Sequence, residues 1–389
     1  MEKKKMLIIM PHLTIGGVQK SLISASKALD YDKYDVTLYL RKNRTDLLPF
    51  IDKRIKVTVN TDSNKYYRKP YAIAMQAKAL AAKLLGNNKK SKEINGILEE
   101  RIRLDMMEYE RKTYFADAHY DIAVAYVQGY VAQFVSECVN ADKKILFFHT
   151  STNDTPEIHN AVIPLYSRIA ALHNDQKALI EEWYPDAKGK ITIVENFTDK
   201  ELITEQSKEI SIPETDKTVI CSCGRLSPVK GFDMAVNAAK ALKESGIDFV
   251  WYFVGDGPER SKLEKLISDY SLNDNVIITG MQKNPYPYMA ACDIYVQPSY
   301  EEAMPVTILE AHRLNKPVIS TATVGGCKLV EDGKNGIVCD VSPEAIAESV
   351  INLINNKDLY DNIINILNST DCSHEFEKYK EQWKALLEE

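Results

Sequence analysis

Twelve short apolar runs, each four to six residues long, alternate with helix-patterned stretches along this chain, and that alternation limits its fold more than any other feature. The first series comprises MLIIM (6–10), VTLYL (36–40), IKVTV (55–59), IAVAY (122–126), KILFF (144–148), RIAAL (168–172) and ITIV (191–194). A polar segment with Ser211 and Pro213 follows NFTDKELI, and then a second series begins: TVICS (218–222), FVWYFV (249–254), VIIT (276–279), IYVQ (294–297) and PVIS (317–320). Short apolar runs of this kind suit parallel strands buried on both faces. A chain of 389 residues exceeds what one hydrophobic core usually serves. The expectation is an α/β protein with two Rossmann-like, doubly wound parallel-sheet domains facing a cleft, and with ligands at the carboxyl ends of the strands. Residues 1–200 form the first domain, 201–370 the second, and 371–389 a closing helix with Phe376, Tyr379, Trp383 and Leu387 near one face. In the second domain the first helix should be capped by Asp233, turn Ala235, Ala238, Ala239 and Leu242 inward, and stop at Gly246.

Composition narrows the class. With 45% hydrophobic and 27% charged residues the chain reads as an ordinary globular protein, and no apolar run approaches a membrane span. The opening MEKKKMLIIMPHL has a basic lead, but its apolar run ends after five residues at Pro11, so it reads as a strand rather than a signal peptide. Seven scattered cysteines, with one C-x-C at Cys221 and Cys223, indicate neither a zinc site nor a disulfide framework, and the compartment read from this is the cytoplasm. The net charge of −6 conceals polarity: residues 1–113 hold 24 Lys and Arg against 13 Asp and Glu, and the remainder is acidic. Some sixty residues separate the strand ending at Val59 from the one starting at Ile122, far more than a βα connection needs. This helical insertion, at about 63–115, carries no acid from Ser63 to Lys92 but eight cations: Lys65, Arg68, Lys69, Lys78, Lys83, Lys89, Lys90 and Lys92. On a helix from Tyr71 to Leu85, Ile73, Ala77, Leu80 and Leu84 fall on one side, with Tyr66, Tyr67 and Tyr71 at its start. The pattern suits docking onto an anionic membrane surface, which makes the protein peripheral on the inner face of the cell membrane. A solvated insertion packing its stripe on its own domain is the alternative.

The stretch PSYEEAMPVTILEA, 298–311, concentrates the chemistry. It reads as a strand end, a loop with Glu301 and Glu302, and a helix from about Pro305 that carries Glu310. Proline in a first helical turn costs no hydrogen bond, so Val306, Thr307 and Ile308 can present N–H groups to an anion. One loop can therefore hold a phosphate between two hydroxyl-binding carboxylates. In CSCGRLSPVKGFD, Arg225 and Lys230 sit in the turn after the first strand of the second domain, where two cations can neutralise a departing diphosphate. FVGDGPE supplies a further turn. In MPHLTIGGVQKSL, Gly16 and Gly17 lie between the first strand and helix, where backbone can approach a phosphate closely. This is not G-x-G-x-x-G, so a nicotinamide enzyme is not expected. His149 ends the strand KKILFFHT, either as a structural residue or at the cleft.

Taken together, GGVQKSL, FFHT, IVENFTD, GRLSPVKGFD, VGDGPE and EEAMPVTILEA resemble, in order and spacing, the retaining family-4-type glycosyltransferases of glycosyl transferases group 1, which have the GT-B fold. The resemblance implies that Glu302 holds the donor sugar's hydroxyls and Glu310 the ribose. It implies that Arg225 and Lys230 bind the donor diphosphate, helped by backbone at Gly16, Gly17, Ala303, Met304, Val306 and Thr307. His149 matches the histidine beside the donor sugar, and the helix with Trp383 the one that returns to the first domain. Ala303 and Pro305 stand where such proteins often have glycine, and Gly-Gly-x-Pro-Glu is replaced by GGCKLVEDG from Gly325, which leaves the sugar open.

The function that follows is metal-independent transfer, with retention, of a hexose or N-acetylhexosamine from a nucleoside-diphosphate sugar, UDP-linked rather than GDP-linked. The acceptor is a glycan or polyprenyl-linked sugar in bacterial polysaccharide or glycan assembly. No metal, cofactor or nucleic acid is expected; the aspartates of DYD, Asp30 and Asp32, read as a turn. A sugar-nucleotide epimerase of the same fold and a non-catalytic partner subunit are the alternatives.

Overall fold

The computed structural model describes residues 2–150, 153 and 155–388, with side chains for all of these except 63 and 64. Two compact units emerge from the chain's contacts. The first comprises Met1–Thr14, Ser26–Val194 and Glu381–Glu389, the second Ile15–Ala25 and Glu195–Lys380.

The first unit is built on seven strands: β1 (Lys4–Met10), β2 (Tyr34–Leu40), β3 (Lys56–Val59), β4 (His119–Ala125), β5 (Asn140–Phe147), β6 (Arg168–Ala171) and β7 (Ile191–Ile193). They pair in the order β3-β2-β1-β4-β5-β6-β7, all parallel. Ile8 lies between Leu38 and Val124 in register, and Met6 to Met10 are wholly buried, as a central strand covered on both faces must be. Asp30 closes the turn before β2 by accepting from the Asp32 N–H at 3.0 Å.

The insertion folds into the helices Pro70–Leu84 and Asn88–Tyr114. Pro70 opens the first, where its missing N–H is of no consequence; the Asn87 side chain caps the second by accepting from the Lys90 N–H at 3.0 Å. Small residues Ala72, Ala79 and Ala82 form the buried face of the first helix, and Leu98, Ile102 and Met106 answer from the second. Ile73, Ala77, Leu80 and Leu84, at about 100° per residue, lie on the opposite face. They are exposed, Ile73 by 55%, Leu80 by 58% and Leu84 by 79%. The packing alternative for this stripe is thereby removed. Lys65 and Lys69 pair with Asp62 and Asp105; among the described residues Arg68, Lys78, Lys83, Lys89, Lys90 and Lys92 have no ion-pair partner.

The second unit carries β8 (Thr218–Cys223), β9 (Phe249–Val254), β10 (Val276–Gly280), β11 (Ile294–Gln297), β12 (Val318–Thr321) and β13 (Gly336–Cys339), ordered β10-β9-β8-β11-β12-β13 and parallel throughout. β13 is a sixth strand where five runs were read. The helix Phe232–Glu244 is entered through Gly231 at φ 63°, so Asp233 lies in its first turn and not at its cap. A side chain at Gly231 would place Cβ 1.9 Å from the Pro298 carbonyl oxygen; close approach of two turns, not capping preference, sets this helix start. The helix ends as expected, with Gly246 at φ 76°.

The last helix, Glu375–Glu388, contributes to both units. Within the second, Phe376 and Tyr379 pack on Phe197, ring centroids 5.2 and 5.5 Å away. Within the first, Trp383 is buried and stacks on Phe147 at 5.1 Å.

A buried ion pair fastens the long insertion helix to the first sheet. Glu110, fully buried, accepts from Arg41 Nη2 at 2.7 Å, Tyr39 Oη at 3.1 Å and Asn60 Nδ2 at 3.2 Å. Glu110→Ala should lower stability by about 3–5 kcal/mol because Arg41 is left charged and buried, whereas the pair Arg41→Met with Glu110→Leu should recover most of that loss. Urea titration of both variants checks the difference.

Candidate active site

The carboxyl ends of β8, β11 and β12 lie on one side of the second sheet, and the turns that leave them converge. β11 ends at Gln297, the chain turns through Pro298 to Pro305, and the helix Val306–Arg313 follows. Pro305 is its cap, with extended backbone. Val306 and Thr307 are the first two helical residues, whose N–H groups have no partner within the helix. Ile308 differs from expectation: its N–H donates to the Pro305 carbonyl at 3.1 Å, so two amides rather than three face outward.

Glu302 is 10% exposed and its Oε1 is crowded with donors. Lys230 pairs with it, Ser299 Oγ donates at 3.0 Å and Gln297 Nε2 at 3.1 Å. Gln297 in turn accepts from Thr307 Oγ1 at 2.8 Å and Tyr295 Oη at 3.1 Å. One buried amide thus ties the strand, the carboxylate and the helix start together. Glu301 is exposed, and it is Glu302 that the network holds. The Gly325 N–H donates to the Glu302 carbonyl at 2.8 Å, and a Cβ on Gly325 would fall 2.5 Å from Pro305 Cδ. The Gly-Gly of GGCKLVEDG is therefore the floor on which this loop rests. Ala303 and Met304 are half-buried in the loop, and the Met304 carbonyl accepts from Asn196 Nδ2 at 3.4 Å.

Glu310 lies on the buried side of the same helix, 1% exposed. Its Oε1 accepts from Lys20 Nζ at 2.6 Å and Tyr286 Oη at 2.8 Å. Burial, and then the Glu310 charge, push the Tyr286 phenol well above its ordinary pKa, so it remains a donor. Glu310 Oε2 is buried with no hydrogen-bond partner among the described residues. Gly17 belongs to this unit too. A Cβ there would meet only Val306 Cγ2, at an ordinary 3.7 Å, and at Gly16 only the flexible Gln19 side chain. Protein packing therefore demands neither glycine.

Arg225 and Lys230 share the turn after β8 but differ in state. Lys230 is paired with Glu302, whereas Arg225 is exposed, with no ion-pair partner among the described residues. In the first unit, His149 follows β5. Its ring lies against Tyr126 and Phe147, centroids 5.1 and 5.8 Å away, and Nε2 is buried without a partner among the described residues. Burial lowers its pKa to about 4, against the opposing effect of a hydrogen bond to the Tyr126 backbone. The imidazole is neutral at physiological pH.

The second unit brings together Gly16, Gly17, Lys230, Glu302, Ala303, Met304, Val306, Thr307 and Glu310, with Arg225 in the same turn as Lys230. Sequence reasoning gave no role to Lys20, Tyr286, Gln297 or Ser299. The signal for Gln297 was present, since an amide ending an apolar strand must be buried and bonded; Lys20 sits inside GGVQKSL without any mark of its partner.

Residues 203–368 match the family model described as glycosyl transferases group 1. The lipopolysaccharide core biosynthesis glycosyltransferase LpsE of Rhizobium meliloti is 30% identical over 173 residues, 44% of this chain and 50% of the relative. The alpha-D-kanosaminyltransferase of Streptomyces kanamyceticus is 34% identical over 148 residues, 37% of this chain and 38% of the relative. The chain thus spans half or less of the length of these two curated relatives. Anabaena HepE, solved in complex with UDP, is similar in fold with a TM-score of 0.68 at 16% identity, over 98% of this chain and 99% of HepE. The two parallel sheets have the GT-B architecture of such neighbours. The stretch that resembles the glycosyl transferases of group 1, residues 203–368, makes up most of the second unit.

Proposed function

We propose that the protein transfers, with retention and without a metal, a hexose or N-acetylhexosamine from a UDP-linked sugar to a lipid-linked glycan in bacterial polysaccharide or glycan assembly. The observation that carries this is the pair of carboxylates flanking one helix start: Glu302 with Lys230, and Glu310 with one oxygen unsatisfied. In this reading residues 201–370 bind the donor and residues 1–200 the acceptor. HepE, a fold neighbour, is described with UDP-glucose as well as UDP, and LpsE is named for lipopolysaccharide core biosynthesis; both support the donor and the kind of product.

As the bond from the anomeric carbon to the diphosphate lengthens, positive charge spreads over the sugar ring and negative charge collects on phosphate oxygens. Arg225, Lys230 and the N–H groups of Val306 and Thr307 are suited to receive that negative charge, and fixed donors need no reorganisation. Glu302 is suited to accept from the sugar's hydroxyls. His149, neutral at physiological pH, is suited to a hydrogen bond from the sugar rather than to a fixed charge. The leaving phosphate itself takes the acceptor's proton, so no second carboxylate is required.

Slow release of UDP from a UDP-sugar, measured with EDTA present and no acceptor, tests donor and metal together. Glu302→Gln, Lys230→Met and Arg225→Met should each lower the rate about tenfold to a hundredfold, the worth of one charge-assisted hydrogen bond. Full rates in all three variants would overturn the site, and dependence on added magnesium the metal-free mechanism.

We propose further that the insertion docks the protein on an anionic membrane face. The outward stripe of Ile73, Leu80 and Leu84 offers apolar area, and Lys78, Lys83, Lys89 and Lys90, exposed and without an ion-pair partner among the described residues, offer charge; the two terms add. Sedimentation with vesicles of phosphatidylglycerol in phosphatidylcholine should show binding that added salt weakens. Changing those four lysines to Gln should reduce it by roughly a hundredfold or more, at about 1 kcal/mol per lysine. Leu80→Ser with Leu84→Ser should reduce it at any salt concentration, and unchanged sedimentation in both variants would remove the membrane from the proposal.

A further inference from the structure

Lys20, on the chain's first helix, reaches a carboxylate of the site, that of Glu310. It lies in the first turn of the helix Gly17–Ala28, its N–H donating to the Gly16 carbonyl at 3.0 Å. The side chain is only 16% exposed. Its ammonium stands 4.7 Å from the centroid of the Tyr286 ring, while the Tyr286 hydroxyl donates to the same Glu310 oxygen that Lys20 holds.

The division of labour between the two oxygens of Glu310 is the informative feature. Oε1 has two donors at 2.6 and 2.8 Å, and Oε2, equally removed from water, has none among the described residues. A buried ionised oxygen left without a donor costs free energy, so such an atom is retained only where something else supplies the donor. The choice of lysine matters here. An ammonium binds a carboxylate through a single point, whereas a guanidinium presents a planar fork that takes both oxygens. Lysine at position 20 compensates the buried charge and leaves Oε2 unclaimed.

We infer that Lys20 is a positioning residue: with Tyr286 it holds the Glu310 carboxylate by Oε1 alone, so that Oε2 is presented to the vicinal hydroxyls of the bound nucleotide's sugar. This rests on the reading of the second unit as a nucleotide-sugar site. It adds that recognition of those hydroxyls depends on a residue that never touches the nucleotide. It also adds that arginine cannot replace lysine there.

The test compares the affinity of UDP with that of 2′,3′-dideoxy-UDP, by calorimetry, for the full-length protein and for Glu310→Gln, Lys20→Gln, Lys20→Met and Lys20→Arg. Wild type should prefer UDP by about tenfold to a hundredfold, the worth of hydrogen bonds to a charged acceptor. All four variants should bring that preference to within about threefold, while binding of the dideoxy analogue stays close to wild type and shows each site to be folded. Lys20→Gln is the fallback should the apolar variant not fold. Undiminished preference in Lys20→Gln and Lys20→Arg, with loss in Glu310→Gln, would overturn the role of Lys20 and leave the donor reading intact. No preference in wild type, or no binding of UDP, would overturn the donor reading and the inference with it.

Discussion

A carboxylate withdrawn from water must find a cation or give up its charge, and the second unit answers that demand twice within nine residues of chain. Glu302 is held by Lys230 and Glu310 by Lys20. Much of the local architecture follows from keeping these pairs in place. Gly231 lets the lysine-bearing turn come against Pro298, Gly325 supports the loop that carries Glu302, and Gln297 links that carboxylate to Thr307 on the helix. Arg313, further along the helix, binds the Thr198 carbonyl and pairs with Glu375. The helix that bears Glu310 is thus tied at its far end both to the segment around Thr198 and to the last helix.

Strand positions were legible because each sheet is parallel and covered on both faces, which removes the alternation that would mark a solvated strand and leaves plain apolar runs. β13 escaped because its four residues begin with glycine and only two are aliphatic. The start of the helix Phe232–Glu244 was misplaced for a different reason. Capping preference is a local energy of about 1 kcal/mol, and it yielded to the contact between Gly231 and Pro298, which no local pattern encodes.

The candidate residues themselves were legible from residue type and spacing, but their pairing was not. Lys20 and Glu310 are 290 positions apart, and nothing in either segment names the other. Lys230 and Arg225, alike in sequence as two cations of one turn, differ once folded, the first neutralised by Glu302 and the second without an ion-pair partner among the described residues. The apolar stripe of the insertion was visible as a helical period, yet the period alone cannot say which of two faces is buried. The alanines decide it: Ala72, Ala79 and Ala82 let the second insertion helix approach closely, so the bulkier Ile73, Leu80 and Leu84 are turned outward.

The resting arrangement also bears on how the proposed donor would be bound. With Lys230 on Glu302, the second unit holds a neutral pair where the proposed function would have it receive a diphosphate and a sugar hydroxyl. Binding then exchanges one charge-assisted contact between protein groups for two with the ligand, the lysine turning to phosphate and the carboxylate to hydroxyl. Such an exchange gains little from the first contact because an equivalent one is surrendered. In that reading net affinity would come from groups that have no partner among the described residues: the Arg225 guanidinium, the Val306 and Thr307 amides, and Glu310 Oε2. In the proposed function the pair at Glu302 would instead supply discrimination, since a ligand bearing phosphate but no correctly placed hydroxyl would draw Lys230 away and leave a largely buried carboxylate uncompensated.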